Sequence, residues 1–145
     1  MKTRRRQSTP VRSERYVVEK VVQFLRATDY RVACEVPSMG QSIDVVALKG
    51  RWLMCVEVKL ADWRRGLGQC RAHRLVADYV ALAVATVSVP PSLREEAAAR
   101  GVGIIHFDRS VDACVWALKP TLIREMWPPQ RRQLSSAIRD IGYEG

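Results

Sequence analysis

A Lys-Gly-Arg turn set between two apolar runs limits this chain's folding options more than any other segment. Ser42-Ile43-Asp44-Val45-Val46-Ala47-Leu48-Lys49 precedes it and Trp52-Leu53-Met54-Cys55-Val56-Glu57-Val58-Lys59-Leu60 follows. Two β-branched stretches of strand length around a glycine turn read as a hairpin. With Gly50 and Arg51 as the two turn residues, glycine first as a type II′ turn wants, Lys49 faces Trp52, Ala47 faces Met54, and Asp44 faces Glu57. Directly opposed residues hold their Cβ atoms about 4.5–5.5 Å apart, close enough for two carboxylates to grip one divalent cation. Side chains alternate along a strand, so Lys59 shares the face of Glu57. Two acids and a lysine converge on one patch of sheet.

Adjacent carboxylates in a partly buried site repel and raise each other's pKa. A hard cation with oxygen ligands removes that conflict, and Mg²⁺ takes one or two carboxylates together with waters and phosphate oxygens. A lysine beside them orients an attacking water or stabilises charge developing on a phosphate. The plainer alternative is a structural ion pair of Lys59 with either acid on a solvated face. The opposed Asp44 and the apolar company of the strand weigh against it.

A third acid comes from the stretch 13–26, where Val17, Val18, Val21, Val22, Phe24 and Leu25 recur at helical spacing. At about 100° per residue these cover one face, and Glu14 falls in its middle. Glu19 falls opposite, with Arg15, Gln23 and Arg26. Ser13 suits an N-cap and acids favour helix N-termini, which is the ordinary account of Glu14. The sharper account directs Glu14 over the sheet toward Asp44 and Glu57.

The order of these residues resembles the PD-(D/E)XK nuclease superfamily. Helix-borne Glu14, then Ile43-Asp44-Val45-Val46-Ala47, then Val56-Glu57-Val58-Lys59, then a helix carrying Gln69 carry the resemblance, over about residues 13–107. The arrangement is similar to small bacterial DNA-repair nuclease-like proteins and to archaeal Holliday-junction resolvases. The proline of the family name is replaced here by Ile43. The resemblance implies an α/β fold, a restriction-endonuclease-like αβββαβ core with a central mixed sheet flanked by helices. It implies Asp44 and Glu57, with Glu14, as ligands of Mg²⁺ (or Mn²⁺), and Lys59 as the catalytic lysine. Gln69 would be the polar residue of the following helix. Pairing as a homodimer is also implied. The motifs are short, and they specify chemistry better than substrate.

Charge fits a polyanionic partner. The 145-residue chain carries a formal charge of +9, and nucleic acid is the commonest partner for such a surplus. Lys2, Arg4, Arg5, Arg6, Arg12 and Arg15 crowd the start against Glu14 alone, so residues 1–12 read as a basic flexible arm. Residues 13–118 then form the nuclease-like domain, and 119–145 a C-terminal helical extension packed on or beside it. Arg64, Arg71 and Arg74 fall on a similar side of the helix after the hairpin, placed to neutralise phosphates, with a solvated helix face as the alternative. Arg4, Arg5 and Arg6 are the arm's candidates for the same work.

Other classes find little support. No run approaches the 18 apolar residues of a membrane helix. The four cysteines, Cys34, Cys55, Cys70 and Cys114, make no Cys-x-x-Cys pair, and three of them lie in apolar strand-like runs. That pattern reads as a reducing, cytoplasmic setting without structural zinc. His73 and His106 form no His-x-x-x-His pair. There is no Gly-x-Ser-x-Gly elbow and no Walker loop, and Gly66-Leu67-Gly68 opens no dinucleotide fingerprint.

Further elements follow from pattern: a first strand over 31–36, a helix over 64–76, and a strand covered on both faces over 77–86. Ser92 with Glu95 reads as a capping box for a helix ending at Gly101. Strands follow over 102–107 and 111–118, and Pro129 opens a last helix through Ile141. The expected function is metal-dependent hydrolysis of DNA phosphodiester bonds by a structure-specific endonuclease of repair or recombination. A DNA-binding module that does not cut, and a ribonuclease of the same fold, are the alternatives.

Overall fold

The computed structural model describes residues 13–38, 40–123 and 128–142. Arg4, Arg5 and Arg6 lie outside the described residues, as does the rest of the arm. Ten elements follow in order: α1 (Glu14–Ala27), β1 (Arg31–Ser38), β2 (Gln41–Lys49), β3 (Trp52–Lys59), α2 (Trp63–His73), β4 (Tyr79–Val84), α3 (Pro91–Arg100), β5 (Gly103–Asp108), β6 (Ala113–Leu118) and α4 (Pro128–Gly142). This is a mixed α/β architecture. The strands form one sheet whose spatial order repeats the chain order, β1-β2-β3-β4-β5-β6. Pairing is antiparallel for β1–β2 and β2–β3, parallel for β3–β4 and β4–β5, and antiparallel again for β5–β6.

The hairpin register is the one its turn dictates. Lys49 pairs with Trp52 and Ala47 with Met54. Gly50 has φ +61°, the sign a type II′ turn needs at its first central residue. Regular pairing between β2 and β3 runs from there to Val45 opposite Val56.

Helices cover both faces of the sheet. On one, the buried stripe of α1, Val17, Val21 and Leu25, packs on Val45, Ala47, Met54, Val56, Val58, Ala81, Ala83, Ile105 and Phe107. On the other, α2, α3 and α4 bring Leu67, Cys70, Leu93, Ala97, Leu134 and Ile138 onto Val46, Leu48, Leu53, Cys55, Val80, Leu82, Val84 and Ile104. Alternate residues of β3 and β4 therefore serve two cores, which is why those strands read as continuous apolar runs. The ribbon of β1 and β2 bends at one point. Glu35 has φ +52°, and beyond it Val36 and Ile43 join the core that Ala33 and Val46 already share. Asp44 sits at this corner.

Three local expectations are corrected. The Ser92 capping box does not form, because α3 starts at Pro91 behind Pro90 and no side chain caps it. A proline suits the first helical position since it lacks an N–H, and this places Ser92 inside the first turn. Cys34 lies in a strand but is exposed. The helix after the hairpin is shorter than its pattern, starting at Trp63, where Asp62 accepts the Arg65 N–H at 3.4 Å, and stopping at His73. Ser13 caps α1 as its sequence suggests, accepting the Tyr16 N–H at 3.2 Å. No helix among the described residues is long and apolar enough to cross a membrane.

Candidate active site

Regular pairing of β2 with β3 stops at Val45 because, one residue on, side chains take over the bonding. The Asp44 carboxylate accepts the Val58 N–H through Oδ2 at 2.8 Å. The Asp44 N–H in turn points to Glu57 Oε2 at 3.4 Å. Each acid thus has one oxygen tied to the backbone of the hairpin, which fixes its direction before any ligand arrives.

The face is set by the helix above. A Cβ added to Gly66 would lie 2.9 Å from Lys59 Cγ and 2.5 Å from Leu82 Cδ1, so α2 rests directly on the Lys59 stem. One helical stripe further, the buried His73 places Nε2 3.3 Å from Glu57 Oε2, in ion-pair range but off line for a hydrogen bond. Asp44, Glu57 and Lys59 therefore meet on the α2 face of the sheet. Glu57 is only 3% exposed, while Asp44 and Lys59 are half-buried.

Gln69 lies between Gly66 and His73 in sequence and within about 60° of both around the helix. Its Oε1 is buried without a hydrogen-bond partner. Such an orphan acceptor is rare in folded proteins and marks a place where a ligand or water belongs.

Glu14 is placed differently from the other two acids. It stands in the exposed first turn of α1, the helix on the far face, rather than in the middle of that helix's buried stripe. What links it to the site is charge: Glu14 is one of the groups that raise the Asp44 pKa. The larger cause of that rise is burial; the Val58 N–H opposes it, Glu57 and Glu14 add to it, and Lys59 lowers it. Lys59 makes no ion pair with a carboxylate among the described residues, although its field reaches Asp44. A self-contained structural ion pair is therefore not what this geometry shows. Negative charge is under-compensated here.

That imbalance bears on a metal. Among the described residues, no group of three or more His, Cys, Asp and Glu side chains is arranged to hold an ion. Two carboxylates suit a cation that keeps several of its own waters, as Mg²⁺ does. Asp44 and Glu57 fit such an ion.

The arginines separate. Arg64 stacks its guanidinium 4.1 Å from the centre of the Trp63 ring, which is itself buried in the core. It does not join Arg71 and Arg74, which line a cleft between α2 and α3. Two neighbours of the site escaped the sequence reading. His73 had no motif to mark it. His106 pairs across β5–β4 with Val84, which pairs with Lys59, so it shares the lysine's row, its Nε2 2.8 Å from the Thr86 carbonyl.

Comparison with known proteins supplies architecture. No protein-family model and no curated protein matches the chain. Among solved structures, it is similar to SPO1766 of Silicibacter pomeroyi, a protein of unknown function, with 16% identity and a TM-score of 0.71 over 94% of this chain and 90% of that one. A XisH family protein from Nostoc punctiforme aligns with 16% identity and a TM-score of 0.53, covering 72% of this chain and 98% of that one. An fdxN element excision controlling factor protein from Anabaena variabilis gives 16% identity and a TM-score of 0.51, over 70% and 95% of the two chains. The likeness is one of fold.

Proposed function

We propose that this chain is a divalent-metal-dependent nuclease of the PD-(D/E)XK kind, hydrolysing phosphodiester bonds in DNA. One observation carries the reading: Asp44 and Glu57 share a face with Lys59, which makes no ion pair with a carboxylate among the described residues, while burial and the neighbouring acids raise the Asp44 pKa. A structural role would have neutralised that cluster internally. The formal charge of +9 supports a polyanionic substrate.

Asp44 and Glu57 would hold the ion through the oxygens not committed to Val58 and Asp44 N–H groups. When bound, such an ion supplies Lewis-acid polarisation of a phosphate and a water of lowered pKa. Lys59, its stem clamped under Gly66, presents an ammonium that steadies charge on the phosphate or orients the incoming water. His73 stands against Glu57 from the helix side, its Nε2 3.3 Å from Oε2. The resemblance suggests branched DNA met during repair or recombination as the substrate, with two copies of the chain supplying two sites.

Incubation of the purified protein with linear, nicked, branched and single-stranded DNA, in Mg²⁺, in Mn²⁺ and in chelator, tests the proposal. Cleavage dependent on the ion is expected, lost in Asp44→Asn and reduced about 10²–10³-fold in Lys59→Ala. Tight DNA binding with no cleavage under either ion would show a binding module instead. Cleavage confined to RNA would move the substrate to ribonucleic acid.

A further inference from the structure

α2 has two working flanks. Around its axis, at about 100° per residue, Gly66, Gln69 and His73 form the stripe above Lys59 and Glu57. Leu67, Arg71 and Arg74 lie about 130° away, on the side that meets α3. There they line a cleft of about 300 Å³ with Ala99, Arg100 and Val102. Its apolar lining comes from Leu67, Ala99 and Val102, and Arg71, Arg74 and Arg100 complete it.

The three arginines are not equivalent. Arg74 donates from Nη1 to the Arg100 carbonyl at 2.6 Å, closing one of the orphan carbonyls at the end of α3. It is a strut between the helices. Arg100 meets Glu96 one helical turn back at 3.5 Å on the exposed side, and that acid answers one positive charge of three. Arg71 is exposed and has no acid partner among the described ion pairs. The cleft thus holds an uncompensated surplus of positive charge beside apolar walls, which strengthen any charge interaction made against them. Guanidinium forks match the oxygens of a phosphate two at a time.

We propose that this cleft is a phosphate site that holds the backbone of the nucleic-acid strand, with Arg71 and Arg100 as its contacts and Arg74 as the strut that sets their spacing. It lies on the opposite flank of α2 from Gln69, so a strand lying across that helix reaches the carboxylates with one segment and the arginines with another. Arg100, from a helix that carries none of the site's acids, becomes part of substrate recognition. The inference rests on nucleic acid being the substrate class, but not on cleavage.

Binding of a fluorescein-labelled DNA duplex to the full chain, measured by anisotropy in chelator across a salt series, tests it. Each duplex phosphate neutralised contributes about 0.9 to the slope of log affinity against log salt. Arg71→Gln/Arg100→Gln should lower the slope by about 2 and weaken binding at least tenfold, with an unchanged melting temperature. Arg71→Lys/Arg100→Lys should keep most of the slope, and Arg139→Gln, on the exposed side of α4, should keep nearly all of the affinity. An unchanged slope in the double glutamine variant overturns the proposal, as does an equal loss in Arg139→Gln. Tight binding of inorganic phosphate or a mononucleotide that depends on these arginines, without any arginine dependence of duplex binding, also overturns it by assigning the cleft to a free ligand. Absence of cleavage under any metal ion, with the arginine dependence intact, would remove the nuclease reading and leave the cleft assignment standing.

Discussion

In Asp44, burial and the two neighbouring acids outweigh the Val58 N–H and the charge of Lys59, so the folded carboxyl holds its proton to a higher pH than the unfolded one. Between those two values the folded state binds more protons, and stability falls as pH rises through the window. The loss is complete above the folded value and absent below the unfolded one. Asp44→Asn keeps an acceptor for Val58 while removing the charge. It should melt higher than the parent at neutral pH and equal to it at low pH, as followed by circular dichroism. Adding Mg²⁺ should raise the melting temperature of the parent and leave Asp44→Asn unmoved, since a ligand stabilises only the form that binds it. A variant that melts below the parent at neutral pH would show that no such cost exists. His73 belongs to this scale too: a lone histidine in a helix carries no signature, and only the packing of α2 on β3 reveals that it backs Glu57.

At the scale of elements, two glycines of α2 separate what the helix needs from what the site needs. Gly68 faces open space, whereas a Cβ at Gly66 would collide with Leu82 and the Lys59 stem. Gly68→Ala should stabilise by about 0.5–1 kcal/mol through helix propensity alone. Gly66→Ala gains the same propensity but overpacks a buried contact, at a cost of about 1–3 kcal/mol. It should therefore be neutral to destabilising in urea denaturation, and cleavage should fall because Lys59 is displaced. A stabilised, fully active Gly66→Ala would show that the lysine stem is not held there. The hairpin was readable in advance because a two-residue glycine turn leaves one register, and that register decides which side chains share a face. The cap of α3 was misread because Pro90-Pro91 starts the helix before Ser92 can cap it. The exposure of Glu14 was misread as well: its angle around α1 was right for the buried stripe, but the stripe's burial begins only at Val17. Arg100 left no trace, since what pairs it with Arg74 is the packing of two helices distant in the chain.

Over the whole molecule, α4 is fastened to the sheet by a buried acid. Asp78, 4% exposed, accepts the Leu53 N–H at 2.8 Å and Arg131 of α4 at 2.9 Å. Arg131 also donates to the Arg51 carbonyl at the hairpin turn, and the Asp78 carbonyl accepts the Ile123 N–H at 2.7 Å. Asp78→Ala strands both a buried N–H and a largely buried guanidinium. The expected cost is about 3–5 kcal/mol, a large share of a total that is typically about 5–15 kcal/mol. Thermal unfolding should show a fall on the order of 10–20 °C, whereas Arg139→Ala on the outer side of α4 should change stability by less than about 0.5 kcal/mol. A small effect of Asp78→Ala would mean that α4 is held by its apolar face alone, through Leu134 and Ile138.

The sheet's spatial order repeats the order of the chain. No strand has to be threaded between two that are already zipped together, so assembly can proceed by simple accretion from one margin to the other. Asp44 and Glu57 come from a hairpin closed by two residues, a loop with little entropy to overcome. The acidic corner is thus built from a local pairing of the chain, and the more distant strands extend the sheet around it.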